Sequence, residues 1–155
     1  MKSLKAAQPW KPKAKVCTPC GASVPQGQAA ALLAQAHAMT DVTGFGLAGH
    51  LANICAASAT GAEIDLSALP LYAGAEDLAA AGLRSSIWAE NFRDTPVDGP
   101  LCPRFDLLFD PQTCGGLLAS VAPGQADALL GQLGAMGCSA AIIGRITAKP
   151  GLIAR

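Results

Sequence analysis

The chain has 155 residues, of which 51% are hydrophobic, 14% charged and 5% aromatic; it is about one domain long and has enough apolar side chain for a packed core, which excludes a disordered polypeptide. Eleven basic and eleven acidic residues cancel, but five lysines and no acid fall within residues 1–25, and the acidic remainder argues against a nucleic-acid groove. No apolar run reaches the roughly 18 residues of a membrane-spanning helix, and six cysteines without a secretory signal read as thiols of a cytoplasmic protein, not as a disulfide framework.

Residues 1–26 read as a flexible leader. Lys2, Lys5, Lys11, Lys13 and Lys15 alternate with Pro9, Pro12, Pro19 and Pro25, so like charges repel and backbone donors are missing. Cys17 and Cys20 form a lone Cys-x-x-Cys pair there, short of the four ligands a structural zinc needs. From about Gln28 the spacing of Ala29, Leu32, Leu33 and Ala36 predicts a helix of about three turns. A second helix is predicted over 45–58, with Leu47, Leu51, Ile54 and Ala57 toward the core. Residues 62–66 alternate as a strand, and 74–81 form a third helix stopped by Gly82. Pro96, Gly99, Pro100 and Pro103 make 84–104 a long surface loop. Strands are predicted at 105–109, 116–121 and 140–146, with a helix at 126–136 between the last two.

Two short peptides concentrate the chemistry. The first runs Thr40-Asp41-Val42-Thr43-Gly44-Phe45-Gly46-Leu47-Ala48-Gly49-His50. It contains the dinucleotide pattern Gly-x-Gly-x-x-Gly, but the segment before it is too short and polar for the buried strand such a site requires. A second reading is a helix start capped by Thr43 or Gly44, whose free amides approach an anion. Asp41 beside that anion is repelled unless a cation such as magnesium lies between; an aspartate that only caps a helix fits the spacing equally. The second peptide, Asp110-Pro111-Gln112-Thr113-Cys114-Gly115-Gly116, reads as a hairpin turn between strands. Its successive amides could instead form an anion nest.

His50 borders the apolar stripe and reads as a packed, hydrogen-bonded histidine before a catalytic one; His37 stands at the other end of the same peptide. Cys114 has no basic neighbour in sequence to activate it as a nucleophile. Cys55 and Cys138 lie in apolar stretches and read as buried, inert thiols.

Together the two peptides resemble the C-terminal half of the selenophosphate synthetases (selenide, water dikinases), with their Thr-Asp-Val-Thr-Gly-Phe-Gly and Asp-Pro-Gln-Thr-Ser-Gly-Gly-Leu-Leu signatures. The segments 62–66 and 81–86, Asn91, and Ile143-Gly144-Arg145-Ile146 fall in the same order, so the resemblance covers about 27–147. It implies an α+β domain over 27–155: a mixed sheet flanked by helices, like the C-terminal domain of aminoimidazole ribotide synthetase and partly ferredoxin-like. It implies ATP-dependent formation of selenophosphate, AMP and phosphate from selenide and water, as a step of selenium metabolism that serves selenocysteine biosynthesis. Asp41 matches a magnesium ligand of the family, and the resemblance extends the phosphate-binding set to Thr40, Thr43, Gly44, Gly46, Thr113, Gly115 and Gly116.

The departures set the remaining expectations. The family's reactive cysteine or selenocysteine followed by lysine, and its further metal-binding aspartates, belong to an N-terminal half not seen here, so no catalytic residue is assigned. Cys114 replaces a serine, and a thiol donates more weakly than a hydroxyl. The chain alone is expected to be inactive and to bind ATP and magnesium weakly. It would act with a separate N-terminal partner as a split subunit, or serve as a non-catalytic binding or regulatory module. Neither nucleic acid nor membrane is an expected partner, and the oligomeric state is left open.

Overall fold

A computed structural model describes residues 13–17, 26–113 and 115–155, with the backbone alone at 13–17 and 26. Seven strands, β1 (Lys13–Cys17), β2 (Ala38–Asp41), β3 (Gly61–Ile64), β4 (Val97–Asp98), β5 (Leu117–Val121), β6 (Ala140–Thr147) and β7 (Gly151–Ala154), form one sheet in the order β2-β5-β1-β6-β3-β7-β4. Pairing is antiparallel from β2 through β3, then parallel between β3, β7 and β4. The sheet is therefore mixed, as the resemblance implies.

Among the described residues six helices cover it: α1 (Gln26–Leu32), α2 (Gly46–Ala57), α3 (Ala75–Ala80), α4 (Trp88–Asp94), α5 (Pro103–Asp106) and α6 (Ala126–Ala135). None among the described residues is long and apolar enough to cross a membrane. Strand β5 explains the layering. It is buried throughout, and alternate side chains enter different cores. Leu118 joins Leu51, Ile64, Phe105, Leu108 and Phe109 under α2 and α5. Leu117, Ala119 and Val121 join Ala29, Leu33 and Leu133 under α1 and α6. A strand buried on both faces loses its polar alternation, which is why it reads as a plain apolar run.

Four expectations are corrected. Residues 13–17 are no leader: β1 pairs with β5 on one side and β6 on the other. The remainder of 1–25, including Cys20, lies outside the described residues, as does Cys114. The segment 84–104 is not a long loop but holds α4, β4 and the start of α5. Residues 105–109 form the end of α5 and a 3-10 turn instead of a strand. Phe105, Leu108 and Phe109 are the buried members, and their spacing of three and four residues is helical. In α2 the buried line runs through Ala48, Leu51 and Cys55, while Ala57 is exposed.

Candidate functional site

The fold brings the two peptides side by side. Asp41 at the end of β2 pairs with Leu117 at the start of β5. Beyond the ladder, the Val42 amide donates to the Gly116 carbonyl at 2.9 Å and the Gln112 amide to the Thr43 carbonyl at 3.0 Å. Contact is so close that a Cβ on Gly115 would sit 1.9 Å from the Val42 carbonyl oxygen. The second peptide therefore leads from a 3-10 turn into β5 and is not a hairpin between strands, correcting that expectation.

The first peptide is held from below. The Thr43 amide donates to His50 Nε2 at 2.9 Å, and the Thr43 hydroxyl lies 3.1 Å from the same nitrogen. Accepting from an N–H requires Nε2 to be unprotonated, so the ring proton sits on Nδ1. His50 is 8% exposed, which makes it the packed histidine expected from its place beside the stripe. Thr43 is not the helix cap. Phe45 occupies that position and makes no side-chain cap bond. Gly46 is buried, its amide donates to Thr43, and it packs against Leu108 and Phe109. The amides of Gly44 and Phe45 donate to nothing among the described residues.

Asp41 is exposed and its carboxylate has no partner among the described residues. By register it shares a sheet face with Met39 and Leu117, whereas Val42 turns to the α2 core. Thr40 donates its hydroxyl to the Asp41 carbonyl at 3.1 Å. Thr113 is exposed, while Gly115 and Gly116 are buried. On the Val42 side opens a cleft of about 160 Å³ lined by Leu47, Tyr72, Asp110, Gln112, Gly115 and Gly116 among others. Burial pushes the Asp110 carboxyl above the usual range. Asp110 opens the second peptide in sequence, but its place in the lining of this cleft is legible only in the fold. No group of three His, Cys, Asp or Glu side chains among the described residues could hold a metal ion.

The dinucleotide reading loses its support. The strand before the glycines, β2, lies at the sheet edge and pairs antiparallel with β5, not within a parallel sheet. Asp65, which falls near the distance of about 20 residues at which such a site carries its acid, is occupied: its carboxylate accepts from the Ser67 amide at 2.9 Å and caps a 3-10 turn.

Residues 24–155 match the family model for AIR synthase related protein, C-terminal domain. The selenide, water dikinase of Pelobacter propionicus is 43% identical over 120 residues, covering 74% of this chain and 34% of that protein. Among solved structures, E. coli HypE, a hydrogenase maturation protein, superposes with a TM-score of 0.65 at 19% identity, covering 92% of this chain and 45% of HypE. T. maritima PurL complexed with ADP superposes with a TM-score of 0.59 at 13% identity, covering 94% of this chain and 22% of PurL. At those identities the likeness is one of fold. The chain spans about a third of the length of the curated relatives it matches. By sequence and by fold, the chain belongs to the AIR synthase related family, as its C-terminal domain, with selenide, water dikinases as its relatives.

Proposed function

We propose that this domain forms one wall of the magnesium–ATP site of a selenophosphate synthetase, in which selenide, ATP and water give selenophosphate, AMP and phosphate. The observation that carries the reading is the junction of the two signature peptides, clamped backbone to backbone, with the exposed Asp41 three residues before the Gly44 amide and four before that of Phe45, neither of which has an acceptor among the described residues. Amides without a protein acceptor suit phosphate oxygens. Asp41 fits one corner of a magnesium ion that takes its other ligands from phosphates, water and a second polypeptide segment. Such an ion supplies screening of the phosphate charge during transfer. A single carboxylate holds it poorly, so this chain binds nucleotide weakly and does not turn over alone. Thr40, Thr43, Gly44, Thr113, Gly115 and Gly116 shape the phosphate side; Gly46 supports it by packing. The unpaired thiols of Cys55 and Cys102 suit a reducing cytoplasm.

The test is calorimetric titration of the chain with magnesium–ADP and magnesium–ATP, beside Asp41→Asn. Weak, magnesium-dependent binding is expected. Its loss by about tenfold or more in D41N corresponds to one charged contact of the ordinary strength. Because Asp41 is exposed and has no partner among the described residues, the melting temperature should not move. Binding that ignores magnesium, or D41N binding like the wild type, would overturn the assignment. Release of AMP from ATP and selenide is expected only once a protein carrying the family's cysteine–lysine segment is added. If that partner binds without restoring AMP release, the chain is a regulatory module instead.

A further inference from the structure

Asn91 sits in the middle of α4, far in sequence from either signature peptide, and is 7% exposed. Its side-chain Nδ2 donates to the Gly44 carbonyl at 2.9 Å and to the Phe109 carbonyl at 3.0 Å. Both acceptors are carbonyl oxygens, so the nitrogen of the amide must face them and both of its protons are used. Gly44 belongs to the first peptide, and Phe109 immediately precedes Asp110 in the second. No other side chain among the described residues bonds to both.

A peptide unit is planar, so fixing a carbonyl fixes the N–H that follows it. Holding the Gly44 carbonyl toward the core turns the Phe45 amide outward, and that amide has no acceptor among the described residues. Holding the Phe109 carbonyl sets the entry of the chain into Asp110 and the turn toward Gly115 and Gly116. One buried side chain therefore ties the Gly44–Phe45 peptide to the entry of the second peptide, beside the backbone bonds that already join Val42 to Gly116 and Thr43 to Gln112.

We propose that Asn91 is a positioning residue of the nucleotide site: its two hydrogen bonds hold the Gly44 carbonyl against the chain that enters the second peptide and so aim the Phe45 amide outward toward phosphate. This rests on the magnesium–nucleotide reading given above. Replacement by an aliphatic side chain leaves two carbonyls without a donor, and each peptide is then free to rotate toward water.

The experiment uses the full chain, nitrogen-labelled, with Mn2+–ADP as the probe and the paramagnetic broadening of backbone amides as the readout. In the wild type, amides in 41–45 and at 115–116 should broaden together. In Asn91→Leu, affinity should fall about tenfold or more, the scale of one or two lost hydrogen bonds. Broadening should persist near Asp41 and fade at the Phe45 amide, whose peptide Asn91 no longer orients. A purely structural asparagine would lower the melting temperature and leave affinity and broadening pattern as in the wild type; that result overturns the proposal while the nucleotide reading stands. No broadening in the wild type overturns both. Should N91L fail to fold, Asn91→Ser, which keeps one donor in less volume, carries the same comparison. An intermediate affinity then supports the proposal, and a wild-type one overturns it.

Discussion

Gly46 adopts φ +68°, and a Cβ there would lie 2.8 Å from the Leu108 carbonyl oxygen and 2.9 Å from the Phe109 carbonyl carbon. Both the left-handed backbone and the contact exclude a side chain. Gly46→Ala should cost about 2–4 kcal/mol by urea denaturation, combining backbone strain with the forced separation of α2 from the second peptide. Two acids should pull the pH dependence of stability in opposite directions. Burial raises the Asp110 carboxyl, so the folded state binds its proton more tightly than the unfolded chain does. Its penalty is absent below the unfolded value, grows as pH rises through the folded value, and stays above it. Asp110→Asn should therefore melt higher than the wild type at neutral pH and alike at low pH. The hydrogen bonds of Ser67, led by its hydroxyl, lower the Asp65 carboxyl. That contribution is present above the unfolded value and lost as pH falls through the folded one, so Asp65→Asn should melt lower at neutral pH and converge with the wild type in acid. At this scale the sequence drew attention to Asp41 and the glycines, because an acid close to several glycines suits a turn or helix start that can meet an anion. Asn91 showed only as a position in the resemblance, since an asparagine in a seven-residue helix carries no spacing signal for partners 47 and 18 residues away.

Among the elements, the longer helices were legible, as were the short α3 and β3, whereas α4, α5 and β2 were not. α2 and α6 span three turns or so, enough for the apolar period to show. α4 holds seven residues and ends before Pro96, and α5 holds four and opens on Pro103; their stability comes from tertiary packing instead of propensity. The aromatic cluster shows this. Trp88 and Phe92, four residues apart, stack at 5.0 Å, and Phe109 meets Phe92 edge-on at 5.0 Å and Phe105 at 5.4 Å. Phe109→Ala should destabilise the protein by about 3–5 kcal/mol, measured by urea denaturation. It should also weaken nucleotide binding, because Phe109 supplies one of the Asn91 acceptors and leads into Asp110. The strand expected at 105–109 came from reading a short apolar run by its composition; the three-and-four spacing of its buried residues was the better guide.

For the whole molecule, the mixed sheet with helices on both faces follows the resemblance, while the order of strands was beyond what spacing could tell. The lysines and prolines of the first 26 residues suggested a dispensable leader, yet β1 fills the gap between β5 and β6. Removing residues 1–25 should split the sheet into β2–β5 and β6-β3-β7-β4, exposing ladder groups on both new edges. A truncated chain that melted like the full one in circular dichroism would show that β1 contributes nothing. Lys13 faces Val121 on one side and Arg145 on the other. During translation at about 5–20 residues per second, that opening strand waits on the order of ten seconds for its partners to be made. Until then both neighbouring hydrogen-bond rows stay open, and a nascent chain is most vulnerable to pairing with another copy in that interval.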